Sequence, residues 1–411
     1  MNRFSLLSVA ALASVSALAG CSADSESNAT YTDQHVVNTP ESPVKNQAIG
    51  NCWLYATGSW VESMHKAATG VTVSTSESYW SYWDWFNTIS SGQVDGSNLQ
   101  TGGFFPRAAW LIQSYGYENQ SDFIPADSAT DTQNSQQTAL TAITASLATG
   151  ALATPESRQN AALVRTELNK AWGLSATVVK DLDATFGADG SKTFGGTPAA
   201  KKVSKTKIHQ ASELVTGKTQ SSSGTKTNLT LADFVGTGDS FTRSGANVWQ
   251  EVSYPADAAS RRQAQIRAQK AMNDGWTVLM SWYVDFNALD GQGHFSAPPA
   301  QPGRQGGHMT VLEDYEIANV PGFGTLAAGV LATPDQLKAS LDPAATISFL
   351  RTKNSWGNYE SLASMPGYFD IYEAYFDGPV QECQVDGDDN PIAGTCTPQT
   401  PLGEFVVPAG Y

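Results

Sequence analysis

Three short stretches of this 411-residue chain carry a thiol, an imidazole and a carboxamide in a chemically suggestive order. Cys52 stands in Asn46-Gln47-Ala48-Ile49-Gly50-Asn51-Cys52-Trp53, His308 follows Gly306-Gly307, and Asn354 opens Asn354-Ser355-Trp356-Gly357. A thiol attacks as thiolate, so near neutral pH it needs a base, and the base needs a third group to orient its ring. Cys52, His308 and Asn354 can fill those three roles. Asn354 would accept a hydrogen bond from one ring nitrogen of His308 and hold the other toward the sulfur. Trp356 would then shield that bond from water, which strengthens it. Acyl chemistry also needs two donors for an oxyanion. The backbone N–H of Cys52 is one, and the side-chain amide of Gln47 is the candidate for the other.

The surrounding elements must hold these groups rigidly. Trp53, Ala56, Trp60 and Met64 recur at spacings of three and four, which predicts a helix with Cys52 in its first turn. Asn51 would cap it, and the positive end of the helix dipole would favour thiolate. His308 stands at the mouth of the strand-like run Met309-Thr310-Val311-Leu312, unlike His294 in the turn Gly291-Gln292-Gly293. Asp314, a rival orienter, lies six residues beyond His308, roughly 20 Å along a strand.

Further helices are expected at Ser76–Phe86, at Pro106–Tyr115 and from Thr154 through Ala171, with others around Leu140–Leu147 and Val178–Phe186. Asp257–Asn273 reads as a charged helix. Strand-like runs follow at Trp276–Val284, Met309–Tyr315, Ile347–Thr352 and Tyr368–Tyr372. Helices first and strands later argue for an α+β protein with two lobes and an antiparallel sheet or barrel. From 122 to 247 Ala, Thr, Ser and Gln dominate, which reads as a helical and loop insertion. Its lysines Lys192, Lys201, Lys202, Lys205 and Lys207 read as a solvated loop.

The N-terminus reads as a targeting segment. Arg3 precedes an apolar, Ser/Ala-rich run too short for a transmembrane helix, ending in Leu18-Ala19-Gly20-Cys21. Residues 1–20 are expected to be a lipoprotein signal peptide, with Cys21 lipidated, 21–41 a flexible tether and 42–411 the folded domain. That localises the protein to the bacterial cell envelope, at the outer membrane or cell surface, with its membrane contact through the N-terminal lipid. The net charge of −15 excludes a basic face for nucleic acid. Cys383 and Cys396 would form a disulfide in that oxidising compartment, leaving Cys52 as the free thiol. No Cys/His spacing suggests a metal, and the chemistry calls for no cofactor.

These motifs resemble the papain-like cysteine peptidases. Pro43-Val44-Lys45-Asn46-Gln47 with Gly50-Asn51-Cys52-Trp53-Leu54-Tyr55-Ala56 matches their nucleophile motif, Gly307-His308 the histidine motif, and Asn354-Ser355-Trp356-Gly357 the asparagine motif. Within that superfamily the chain is most similar to the bleomycin hydrolase branch, over 42–120 and 250–376. Ser76–Trp85, Gly102-Gly103-Phe104, Tyr115-Gly116-Tyr117 and Asp274-Gly275-Trp276-Thr277-Val278 carry that likeness. The resemblance implies a two-lobed papain-like fold with a large insertion, and hydrolysis of peptides or proteins through an acyl-enzyme. In the family the glutamine lies six residues before the cysteine; here Asn46 holds that position and Gln47 is five before Cys52, so either the loop is one residue shorter or Asn46 is the donor. Papain's additional cysteine, three before the nucleophile, is replaced by Ile49. Members of the branch trim N-termini because a C-terminal tail fills part of the cleft; the acidic tail here need not do so. Two other readings share the motifs: acyl transfer or amide hydrolysis on a non-peptide, and a non-catalytic surface binding lipoprotein.

Overall fold

The computed structural model describes residues 42–94, 96–130, 134–195, 206–220, 226–387 and 390–411. Arg3, Cys21, the signal segment and the tether lie outside these residues, as do Lys201, Lys202 and Lys205.

The first half is helical. Helix α1 (Cys52–Thr69) ends at Gly70, whose φ of 75° lets its N–H close back onto the Lys66 carbonyl. Helix α2 (Glu77–Ser90) is capped by the Ser76 hydroxyl, which accepts from the Tyr79 N–H at 3.1 Å. Nearly every side chain of α2 is buried, and Trp83 stacks on Tyr115 of α3 (Phe105–Tyr115) with ring centroids 4.0 Å apart. Helices α4 (Asn134–Thr149), α5 (Ala161–Ala171) and α6 (Ala176–Phe186) follow. The single helix expected from Thr154 to Ala171 is broken. Thr154 caps only the turn Pro155–Arg158, and Asn160 then captures the Leu163 N–H and starts α5 afresh.

The segment 122–247 also holds a hairpin, β1 (Val215–Gln220) against β2 (Lys226–Thr230). It does not stand apart as a separate module. Ile143, Leu168, Phe186 and Leu231 share one buried cluster with Trp60 and Trp83 of α1 and α2.

The second half builds the main sheet. Its strands are β3 (Gln250–Ser253), β4 (Leu279–Asp285), β5 (His294–Phe295), β6 (Gln305–Val320), β7 (Gly324–Leu326), β8 (Thr346–Lys353) and β9 (Tyr368–Tyr372). Helix α7 (Ala258–Asn273), capped by Asp257, lies between β3 and β4. Two more strands, β10 (Val380–Glu382) and β11 (Thr397–Gln399), form a hairpin, and β12 (Leu402–Val407) rejoins the sheet. The order is β3-β12-β4-β6-β8-β9-β5, antiparallel except for β5 with β9.

The α+β architecture follows from side-chain alternation in this sheet. Leu279, Val311 and Val406 face the helical core, whereas Met280, Leu312 and Phe405 join a second core with Tyr315, Ile347 and Phe369. A period of two therefore gives the sheet two covered faces. Two sequence expectations shift here. The strand expected from Trp276 begins only at Leu279, because Gly275 turns at φ 85° and the Trp276 N–H still closes onto Ala271 O. Strand β6 runs well past Met309–Tyr315, since β4 pairs with its first half and β8 with its second. The C-terminal tail is part of the sheet: β12 is inserted between β3 and β4, and the Tyr411 hydroxyl donates to Asp274 at 2.7 Å.

Candidate active site

Cys52 is the first residue of α1, and Asn51 occupies the cap position. The expected side-chain cap is not made. Asn51 Nδ2 instead donates to Ser81 Oγ at 3.0 Å and to Gln136 Oε1 at 3.2 Å. Gln136 Nε2 donates in turn to the Tyr55 hydroxyl (3.0 Å) and Ser78 Oγ (3.1 Å), and Ser78 donates to Asp127 Oδ2. Helix α4 thus inserts a buried carboxamide directly behind the residue that precedes Cys52.

His308 is the fourth residue of β6, opposite Trp282 of β4. Its Nε2 lies 2.7 Å from Asn354 Oδ1, which also accepts from the Ser355 N–H. With an oxygen acceptor there, neutral His308 carries its proton on Nε2, and Nδ1 keeps a lone pair. Trp356 stacks on the imidazole at 4.6 Å between centroids, and Trp282 meets it edge-on at 5.8 Å. Two indoles therefore fix the ring plane that the Asn354 bond orients.

Cys52 and His308 stand at the junction of two cavities, each of about 450 Å³. One is walled by Gln47, Phe286, Arg304 and Trp356. The other is walled by Gly102, Gly103, Trp282 and Gly403. The backbone N–H of Met309, the neighbour of His308, acts electrostatically on the Cys52 sulfur. Burial pushes the Cys52 thiol up to about 11, and backbone N–H groups of Met309, Trp53 and Cys52 itself offset this only in part. The helix start alone therefore does not favour thiolate, contrary to expectation: desolvation is the larger effect. Burial likewise lowers His308 to about 4, opposed by its bond to Asn354.

Gln47 lies in the cavity wall. Its Nε2 donates one hydrogen to Ile49 O at 3.0 Å, its Oε1 accepts from Ser355 Oγ at 2.6 Å, and the second Nε2 hydrogen has no acceptor among the described residues. Asn46 points elsewhere. It bridges to Trp356 through the backbone, and its side chain lies against Gly357. These two residues belong to a strap that ties the Asn354 loop to the helices. Gln47 N–H donates to Ser355 O and Gly357 N–H to Lys45 O. Lys45 Nζ is anchored at 2.7 Å from both Glu62 and Glu77. Burial opposes the Lys45 charge, but the two carboxylates outweigh it and hold the ammonium protonated. Next to Asn354, Lys353 Nζ donates to Ser42 Oγ and Ser59 Oγ.

The other candidates lie outside this centre. His294, the first residue of β5, pairs with Asp290 at 2.9 Å at a partly exposed position. Asp314 accepts from the N–H groups of Tyr315 and Gly329. Cys383 and Cys396 are joined by a disulfide just beyond the Glu382–Thr397 pair of the β10–β11 hairpin, and Cys52 is unbridged. Among the described residues no cluster of three or more His, Cys, Asp or Glu side chains could hold a metal ion, and no helix is long and apolar enough to cross a membrane.

Trp282, Gln136, Arg304 and the Met309 N–H were not singled out in the sequence. Trp282 has a signal there: it lies two residues from Met280 and Val284 in an apolar strand, hence on the same face. Gln136 has none within its Ala/Thr/Gln-rich helix.

No protein-family profile matches the chain, and no curated protein is similar to it. Among solved structures it is similar to PepW from Lactobacillus rhamnosis HN001, with 12% identity, a TM-score of 0.41, and coverage of 93% of this chain and 83% of that one. It is similar also to xylellain, a cysteine protease from Xylella fastidiosa, with 11% identity, a TM-score of 0.34, and coverage of 93% and 88%. A third is the Carica candamarcensis cysteine protease CMS1MS2, with 13% identity, a TM-score of 0.30, and coverage of 89% and 92%. Likenesses this distant assign no chemistry to this chain; that must come from its own residues.

Proposed function

We propose that this protein is an exported, lipid-anchored thiol peptidase of the papain-like kind, nearest in its motifs to the bleomycin hydrolase branch. The observation that carries the reading is the unbridged Cys52 facing the same cavities as His308, whose Nε2 is held by Asn354 at 2.7 Å. A peptide lying along both cavities would pass its scissile bond between the two.

As Cys52 Sγ attacks the carbonyl carbon, its proton passes to His308 Nδ1. The C=O electron pair becomes an oxyanion, met by the Cys52 N–H and the second hydrogen of Gln47 Nε2. Collapse breaks the C–N bond, and His308 returns the proton to the leaving amine. Water then attacks the thioester with His308 as base and releases the acid and the thiol. Burial holds thiol and imidazole neutral at rest, so proton transfer accompanies attack: opposite charges formed side by side cost less than either alone. A digest of a peptide library by residues 22–411, read by mass spectrometry, tests the reading. Discrete cleavage sites support it, and an untouched library contradicts it.

The electrostatics fix a pH dependence. His308, lowered to about 4, is charged only below that value, and Cys52, raised to about 11, ionises only near it. Between the two limits a single transferable proton is shared between Cys52 Sγ and His308 Nδ1, the state competent for attack. The kcat/KM profile should therefore rise through about pH 4 and stay flat across neutrality, because that parameter reports the free enzyme. An acid limb near about pH 6.5, the ordinary histidine value, would contradict this account.

The anchor rests on Leu18-Ala19-Gly20-Cys21. The full-length product should partition with membranes, and Cys21→Ser should release it; equal solubility of the two forms would reject the anchor. Bacterial lipoproteins carry several acyl chains, and more than one chain is what firm retention requires.

A further inference from the structure

Arg304 immediately precedes β6 and lies on the wall of the cavity that holds Gln47 and Trp356. Its guanidinium sits 4.6 Å above the Phe286 ring. Phe286 is 5.1 Å from Trp356, which is itself stacked on His308. A run of planar groups thus leads from the imidazole to a cation. Cation–π contact holds the guanidinium in place while leaving its edge N–H donors unused. Arg304 forms no ion pair with any described residue.

The carboxylates that could have served it are engaged elsewhere. Asp285 is buried and accepts from the N–H groups of Asn287 and Gly303 and from Gln305 Nε2. Glu360 takes the hydroxyl of Tyr359. Apart from His308, every other residue lining this cavity is uncharged. In a protein of net charge −15, Arg304 places an exposed guanidinium on the wall of the cavity that Cys52 and His308 also line.

We propose that Arg304 is a specificity-determining residue that receives a carboxylate of the bound peptide in this half of the cleft. The proposal rests on the thiol peptidase reading. A guanidinium edge offers two parallel donors matched to the two oxygens of a carboxylate, and the uncharged wall leaves no competing anion. The carboxylate could belong to an aspartate or glutamate side chain or to the peptide C-terminus. An amide at the same place would lose the charge and half of the acceptors.

The test uses purified protein and peptides that differ only in Asp/Asn or Glu/Gln at each position flanking the cleaved bond, each as free acid and as C-terminal amide. Carboxylate peptides should be cleaved with kcat/KM at least about five-fold higher than their amide counterparts, at positions on one side of the bond only. A preference confined to free acids identifies the C-terminal carboxylate; one that survives amidation identifies a side chain. Arg304→Gln should reduce the acid-to-amide ratio to about one, and Arg304→Glu should invert it. Dissociation constants for the same peptides on the Cys52→Ala protein should follow the same ratios, so binding is read even if cleavage fails. No acid preference in the wild type, or one that persists in Arg304→Gln, overturns the proposal. Absence of cleavage alongside an Arg304-dependent affinity would instead overturn the peptidase reading and leave the carboxylate site standing.

Discussion

Replacing Cys52 by alanine should lower turnover by more than about a hundredfold while leaving the fold intact. A residue that forms the covalent intermediate cannot be substituted by its neighbours, and its loss typically costs several orders of magnitude. The fold should tolerate the change for two reasons. Alanine is the best helix former, and Cys52 is the first residue of α1, where few helical contacts depend on it. The network behind it runs through Asn51, Gln136 and Ser81, not through the sulfur. Rate and thermal melting should be measured together on the same preparation. A folded Cys52→Ala protein that keeps more than about a hundredth of the wild-type rate would remove Cys52 from the mechanism.

His308→Ala should cost nearly as much, and it should also slow alkylation of Cys52. The reason is geometric. Among the described histidines, His308 lines both cavities next to Cys52 and has its ring fixed by Asn354, Trp356 and Trp282. His294, tied to Asp290, should be replaceable by alanine without loss of rate. Asn354→Ala should fall between the two, because it orients the imidazole and transfers no proton. If His294→Ala abolished activity and His308→Ala did not, the base would have been assigned to the wrong ring.

Much of this site could be read from residue order. Free thiol, strand-borne imidazole and following carboxamide are local signals, and each falls where its local pattern predicted: a helix start, a strand, and the residue after a strand. The α+β arrangement was legible for the same reason, since Trp53–Met64 has a helical period and Tyr368–Tyr372 a strand-like run. What escaped the sequence was long-range. Asn51 looked like a cap because asparagine commonly is one, but its amide is oriented so that Nδ2 donates to Ser81 and to a carboxamide 85 residues away, and its oxygen does not accept a helix N–H. The strand β12 was hidden between Pro401, Gly403 and Pro408, and only pairing on both sides makes it a strand. The hairpin β1–β2 is likewise a product of tertiary packing in a polar segment. Burial of the thiol, which outweighs the helix start, also depends on residues from both halves of the chain. Arg304 carried no local signal at all, because its meaning comes from a stack assembled from three separate segments.

The central claim is that the sulfur of Cys52 performs the reaction, and stoichiometric labelling tests it most directly. Purified residues 22–411 would be titrated with a thiol-directed epoxide or iodoacetamide. Intact mass, the labelled peptide and residual peptide hydrolysis would be followed in the same samples. The account predicts one adduct per chain, located on Cys52, with activity falling in direct proportion to labelling. Complete modification of Cys52 with hydrolysis preserved would contradict it.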